Sequence, residues 1–209
     1  MEERRAPATL DLLDWKRRVA ELYGVIRSAA EPRAAWDRWR EVRHELITRH
    51  AESPIVEPAR RAAFQGPWYF DYDPAFRVTA AVEEAEHEDV DVVTSGDGTY
   101  SMTRFATAWF ELGGAPRSLD LFWIGGYGGG LFLSFRDATS GSETYGACRY
   151  LLDTIKGADL GTDDGGLVLD FNFAYQPSCS YDPRWVCPLA PPQNRLALPV
   201  TAGERLDPG

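Results

Sequence analysis

Arginine, aspartate, glutamate and tyrosine crowd into Ser134–Asp153 (SFRDATSGSETYGACRYLLD), directly behind an apolar run. Strand alternation sorts its beginning. In LFLSFRD, Leu131, Leu133 and Phe135 share one face, while Ser134 and Arg136 share the other. In LVLDFNF, Leu167, Leu169, Phe171 and Phe173 share a face, which leaves Asp170 and Asn172 opposite. If both apolar faces meet one core, Arg136, Ser134, Asp170 and Asn172 project together. An arginine beside an aspartate makes an ion pair; on a concave surface it grips a carboxylate or phosphate with two N–H groups. Asp137, Glu143, Arg149, Tyr150 and Tyr175 complete the ingredients of a polar pocket. Two carboxylates near arginines can also divide acid and base roles. The same groups suit a buried charge network that only sets strand register. On sequence alone both readings stand.

Other chemistries are poorly spelled. The run Gly125–Gly130 (GGYGGG) resembles a phosphate loop only in its glycines. A phosphate loop needs a helix N-terminus behind it, and here a strand-like LFLSFRD follows, so a hairpin tip is expected. The histidines, His44, His50 and His87, all lie in the first half, and ATSGSET lacks the nucleophile-elbow spelling, which disfavours a serine triad. His44 and His50 fall on different faces of one helix, and Cys148, Cys179 and Cys187 form no CxxC pair, so no metal site is assigned. Cys179 and Cys187 flank a proline-stiffened SYDPRWV. Buried structural residues are the first reading of that pair, a disulfide the second and reactive thiols the third.

The elements that must position these groups change character along the chain. Leu12, Trp15, Val19, Leu22, Tyr23 and Ile26 recur at three- and four-residue spacing, which predicts a helix over 9–29. Pro32 opens a second stripe of Ala35, Trp36, Trp39, Val42, Leu46 and Ile47; proline suits a first helical turn. A short helix is expected to begin at Pro58. From Trp68 the period becomes two, through FRVTAAV, DVVTSGDGTYSMT, RFATAWFEL, SLDLFWI, LFLSFRD and LVLDFNF. Gly96-Asp97-Gly98 reads as a hairpin turn and Gly113-Gly114 as a stop. The proline-rich end, with aromatic Tyr175, Tyr181 and Trp185, reads as an extended wrap. YDPAFRV and YDPRWV share turn chemistry rather than descent from a repeat. The expected fold is a single α+β domain over 1–209, mainly β. A helical hairpin (1–50) packs on an antiparallel β-sandwich or partly open β-barrel (51–209).

The 209 residues carry a net charge of −10, spread unevenly: +2 over residues 1–61 and −12 beyond them. An acidic body repels phosphate backbones, which argues against nucleic acid. No apolar run approaches the ~20 residues of a membrane helix, and MEERRAPATLDLLDW lacks the core of a signal peptide. Cytoplasm is the expected compartment.

Three segments together carry a family resemblance: FQGPWYFDYDPAFRV, LFLSFRDATSGSETYGACRYL and LVLDFNFAYQPSCSYDPRWVCPLAPPQNRLALPVTAGE. The chain resembles domain-of-unknown-function family 1684 of bacteria and archaea over nearly its whole length, the tryptophan-bearing N-terminal helix included. The resemblance implies no particular activity. The polar positions it matches are Arg136, Asp137, Thr139, Gly141, Glu143, Thr144, Tyr145, Arg149, Tyr150, Asp170, Asn172, Tyr175, Cys179, Cys187, Asn194 and Glu204. Cys148 stands where the family pattern has glycine, and Gln176 where it has asparagine before Pro177.

The leading expectation is a site for an anionic small molecule, with a role for catalysis left open, built from Arg136, Asp137, Glu143, Arg149, Tyr150, Asp170, Asn172 and Tyr175. It requires a cleft beside those side chains. The rival is a structural or interaction protein in which the polar cluster staples the fold and the tryptophans of the helical hairpin meet a partner. A homodimer stays open under either reading, and nothing in the sequence spells a flavin or other cofactor.

Overall fold

The computed structural model describes residues 8–209; the first seven residues, part of the stretch read against a signal peptide, lie outside the described residues. Helices α1 (Ala8–Ser28) and α2 (Pro32–Arg49) form the expected hairpin, and α3 (Pro58–Ala63) is the short third helix. Pro32 occupies the first turn of α2, and the Glu57 carboxylate accepts from the backbone N–H of Ala59 and Arg60 to cap α3. All six residues of the second stripe are buried. In α1, Leu22 and Tyr23 are buried, Trp15, Val19 and Ile26 pack partly against the core, and Leu12 stays exposed. Trp36 and Trp39 are each 1% exposed, which counts against a partner-facing tryptophan surface on α2. Trp36 satisfies its indole N–H by donating to the Asn172 carbonyl at 2.9 Å. The Trp39 ring meets Tyr69 and Phe173 edge-on, at 5.5 and 5.4 Å. Among the described residues no helix is long and apolar enough to cross a membrane.

The β body has strands β1 (Trp68–Tyr69), β2 (Arg77–Val93), β3 (Thr99–Leu112), β4 (Ala115–Ile124) and β5 (Gly130–Phe135). They are followed by β6 (Arg149–Asp153), β7 (Thr162–Asp163), β8 (Gly166–Asp170) and β9 (Glu204–Arg205). Seven of them make one antiparallel sheet in the order β6-β5-β4-β3-β2-β8-β7, and β1 pairs with β9 in a two-stranded ribbon. The fold class is the expected one, and the sheet does not close into a barrel. Gly113 and Gly114, at φ +63° and +70°, are the two-residue turn between β3 and β4; both central positions of such a turn require positive φ.

Two elements differ from the sequence reading. LVLDFNF is not one strand: β8 ends at Asp170, and Phe171–Phe173 is a 3-10 turn started by Asp170, whose carboxylate accepts from the Asn172 N–H. RYLLD, by contrast, is a strand. All five residues of β6 are buried, so it shows no alternation by which to recognise it.

Adjacent residues Leu121 and Phe122, and again Phe132 and Leu133, belong to different apolar clusters, so this part of the sheet has a core on each face. One core lies under the helical hairpin. The other contains Met102, Phe122, Phe132, Tyr150 and all three cysteines, and Leu189 and Ala190 of the C-terminal wrap pack on it. A register shift between Arg104 and Ala106 lets Met102 and Ala106, equal in parity, serve opposite faces. The wrap also covers the β6 edge: Tyr150 and Tyr175 exchange backbone hydrogen bonds of 2.8 and 2.9 Å.

These burials set the energetic scale. Trp39→Ala is expected to cost about 3–5 kcal/mol by urea denaturation, and Leu12→Ala within ~0.5 kcal/mol of zero.

Candidate functional site

The residues singled out in the sequence fall into separate places. Asp137 and Arg149 form the first. Both side chains are 1% exposed, and an Arg149 Nη2 donates to Asp137 Oδ1 at 3.2 Å. The two Nη groups also donate to carbonyls of the C-terminal wrap, Val200 at 2.8 Å, Glu204 at 3.3 Å, and Ala202, while the buried Nε has no partner. Asp137 Oδ2 accepts from the Thr139 N–H and hydroxyl at 3.1 and 2.7 Å and from the Val200 N–H at 2.8 Å. Burial pushes the Arg149 pKa down, and the Asp137 charge opposes that shift. The Asp137–Thr144 loop is thereby tied to the chain end. This is a staple whose donors and acceptors, the Arg149 Nε apart, are spent internally.

Asp170 and Asn172 form the second place. Asn172 Nδ2 donates to Asp170 Oδ1 at 2.9 Å and to the Asp73 carbonyl at 2.8 Å, and its Oδ1 accepts from the Asp73 N–H at 3.0 Å. Asp170 is fully buried, with Arg77 at 3.6 Å from its Oδ2. Burial pushes the Asp170 carboxyl up, and the Asn172 hydrogen bonds and Arg77 oppose it. Through the Asn172 carbonyl this group also holds Trp36.

The expected joint surface of Arg136, Ser134, Asp170 and Asn172 does not form. Strands β5 and β8 are separated by β4, β3 and β2, and the 3-10 turn takes Asn172 out of strand alternation. Their apolar sides do meet: the Phe135 and Phe171 rings are 5.1 Å apart. Ser134 instead donates to the Leu189 carbonyl at 3.3 Å, and Arg136 pairs through its backbone with Asn194 and Leu196. Glu143 is exposed and lies 3.5 Å from Arg205.

Tyr150 and Tyr175 are different, because they line a cavity. It lies between the helical hairpin, β6 and the segment 175–181, and holds ≈ 90 Å³ of free space. One water needs ~10–15 Å³ by the same measure, so the cavity suits a ligand of roughly six to nine non-hydrogen atoms. Trp15, Val19, Leu22, Trp39 and Leu46 make its apolar wall; Tyr23, Arg43, Lys156, Gln176 and Tyr181 join the two tyrosines as its polar groups. Arg43 is set by Glu204, to which Nη2 donates at 3.0 Å and Nε more closely. Glu204 Oε2 also accepts from the Gln176 N–H at 2.6 Å, and Oε1 from the Tyr181 hydroxyl at 3.1 Å. The Arg43 guanidinium stacks 4.6 Å from the Tyr175 ring. Burial raises the hydroxyl pKa of Tyr23, Tyr150, Tyr175 and Tyr181, so these phenols stay neutral donors. Two buried polar atoms on wall residues, the Tyr23 hydroxyl and Gln176 Oε1, have no hydrogen-bond partner.

Sequence reading missed Tyr23, Arg43, Lys156, Gln176 and Tyr181 as site residues. Tyr23 is hidden inside an apolar stripe. Arg43 had a usable signal, since Trp36, Trp39 and Arg43 follow one another at three and four residues and share a helix face.

Fold and site thus define a class: a helical hairpin on an open antiparallel sheet, stapled by a C-terminal wrap, with an aromatic cavity under the hairpin. The chain belongs to the family described as Protein of unknown function (DUF1684), whose model matches residues 62–205. That match begins after the hairpin, so Tyr23, Trp39 and Arg43 lie outside it while Tyr150, Tyr175 and Glu204 lie within. A similar solved structure is the solution NMR structure of an uncharacterised protein from Haloarcula marismortui. It is 37% identical, with 84% of this chain and 94% of that one covered and a TM-score of 0.58. No curated protein matches the chain.

The two polar groups should respond differently to substitution. Arg149→Met strands the Asp137 charge inside the protein and is expected to cost about 3–5 kcal/mol by chemical denaturation. Asp170→Asn keeps an acceptor for Asn172 and is expected to cost less than about 1 kcal/mol at neutral pH. Because the folded Asp170 pKa is raised, the folded state holds that proton at pH values where the unfolded chain, near ~4, has lost it. The stability of wild type relative to Asp170→Asn should therefore fall as pH rises above ~4, measurable by denaturation at a series of pH values.

Proposed function

We propose that the protein binds a small anionic molecule with an apolar body in the cavity beneath the helical hairpin. In this reading the Asp137–Arg149 and Asp170–Asn172 groups hold the fold rather than the ligand. The observation that carries it is the pair of partnerless buried atoms, the Tyr23 hydroxyl and Gln176 Oε1, on the wall of an otherwise aromatic cavity. A buried polar atom without a partner costs about 1–3 kcal/mol, and a ligand that supplies one acceptor and one donor recovers that. On the same wall Arg43 is paired with Glu204 and Lys156 with Asp153 at 3.2 Å, so they offer an anionic group N–H donors rather than uncompensated charge, and Trp15, Trp39 and Tyr175 provide flat apolar contact. Of the residues chosen from sequence, Tyr150 and Tyr175 remain in the site. Among the described residues the wall carries no carboxylate, imidazole or thiol, and its phenols are held neutral, so binding is the reading rather than acid–base catalysis.

A thermal-shift panel of small aliphatic and aromatic carboxylates and phosphate esters tests this on three proteins. Wild type is expected to be stabilised by a subset. Tyr23→Phe should keep its stability, because it removes a hydroxyl with no partner, and should bind that subset about tenfold more weakly, ~1.4 kcal/mol. Ala158→Leu, which fills the cavity, should lose the shift altogether. A panel that shifts none of the proteins, or all three alike, overturns the proposal.

A further inference from the structure

An interruption in the large sheet brings together two arginines that the cavity does not use. Strands β4 and β5 pair from Ile124–Gly130 to Phe122–Phe132 and part beyond that point. The buried Asn194 side chain of the wrap bridges the gap. Its Oδ1 accepts from the Asp120 N–H at 2.8 Å, and its Nδ2 donates to the Asp120 and Ser134 carbonyls at 2.9 and 3.0 Å. Next to it, Arg136 and Arg195 form a parallel bridge. The Arg136 N–H donates to the Asn194 carbonyl at 2.9 Å, and the Leu196 N–H to the Arg136 carbonyl at 2.8 Å. Bridge partners send their side chains to the same face, from backbones ~4.8 Å apart. Phe135 and Leu196, each adjacent to one of the arginines, are buried in the core under the hairpin. Both arginines therefore project from the opposite face.

That placement sets two positive charges side by side without a counter-charge. Neither guanidinium pairs with a carboxylate or donates a hydrogen bond among the described residues, and the Arg136 Nε is buried with no partner. Arginines elsewhere are matched: Arg43 with Glu204, Arg77 with Asp170, Arg149 with Asp137. The carboxylates attached to this stretch are taken. Asp137 serves Arg149, Thr139 and Val200, while Asp120 holds Arg104 at 2.8 Å and the Thr107 hydroxyl at 2.9 Å. Like charges directly opposite on neighbouring strands are unfavourable, and this pair stands in a chain whose net charge is −10.

We propose that Arg136 and Arg195 form an oxyanion site for a phosphate group, free or carried on a small molecule. Arg136 is half-buried and Arg195 exposed, so the anion reaches them from solvent. Two planar guanidinium forks offer more N–H donors than the two oxygens of a carboxylate can take, whereas a phosphate presents three oxygens. Its charge of about −1.5 to −2 at neutral pH matches the two arginines and removes their repulsion. The Asn194 clamp holds both backbones in place beforehand, so binding orders only side chains. The site is separate from the cavity, which neither arginine lines.

Inorganic phosphate, titrated at neutral pH with ionic strength held constant by sodium chloride, tests this through the thermal midpoint. Wild type should be stabilised progressively. Arg195→Gln should bind phosphate at least ~tenfold more weakly, as expected for loss of charge-assisted hydrogen bonds. Without phosphate it should be at least as stable as wild type, because it removes a like-charge contact and no internal hydrogen bond. Arg136→Gln should lose the phosphate response as well. Arg184→Gln removes another exposed arginine whose side chain lacks a partner among the described residues, and it should respond like wild type. Ala158→Leu should also respond like wild type, which separates this site from the cavity. Phenyl phosphate titrated into Ala158→Leu distinguishes the sources. Binding at least as tight as that of phosphate assigns the site to esters, and weaker binding assigns it to the free ion. A wild type that gains nothing over chloride overturns the proposal. So does an Arg184→Gln protein that loses as much as Arg195→Gln, or an Arg195→Gln protein destabilised without phosphate.

Discussion

A guanidinium ion fully inside the protein organises the rest of the structure. Arg149 projects from β6 into the buried interior, and its charge is tolerable because Asp137 lies against it and three carbonyls of the C-terminal wrap accept from its two Nη groups. The wrap contributes backbone rather than side chains to this contact, so it must run along one path for the charge to be satisfied. That requirement makes a proline-rich, strand-poor tail into a fixed layer over the sheet edge.

Glu204 carries the constraint onward. Its backbone carbonyl accepts from Arg149, while its carboxylate holds Arg43 of α2, the Gln176 N–H and the Tyr181 hydroxyl. A continuous chain of charge-assisted hydrogen bonds therefore runs from the Asp137 loop through β6 and the chain end to the helical hairpin. The cavity lies beside the last link. Its walls come from the hairpin on one side and residues 150–181 on the other, parts of the chain that this network and the apolar core under the hairpin hold together. The staple and the cavity are mechanically one system, although all but one of the staple's polar groups, the Arg149 Nε, are spent, whereas the Tyr23 hydroxyl and Gln176 Oε1 of the cavity are not. The cysteine cluster uses the opposite face of the same sheet, where Tyr150 belongs both to that cluster and to the cavity wall.

Much of this was legible from the order of residues. Apolar spacing located both long helices and named the six residues of α2 that are buried, because a helix with one wet face must place its apolar side chains at three- and four-residue intervals. Alternation and paired glycines located the central strands and their turns for the matching reason at period two. Polar crowding around Arg136 to Arg149 marked the region where the staple lies. Alternation failed where both faces are buried, as in β6, and where an aspartate capped a turn, as after Asp170. A strand without a wet side has no pattern to read, and a side chain that binds its own backbone ends a strand without altering hydrophobicity.

The sequence by itself determined both long helices, most of the strands and which of their faces are apolar. Only the tertiary structure decided which charges meet. Arg136 was the expected partner of Asp170, yet Arg77 takes that place because β2, not β5, lies beside β8. Arg43, one of several arginines on a basic helix, became the one that reaches Glu204, 161 residues away. Strand order and the path of the wrap are set by the closing of the cores, and local spacing carries no record of them.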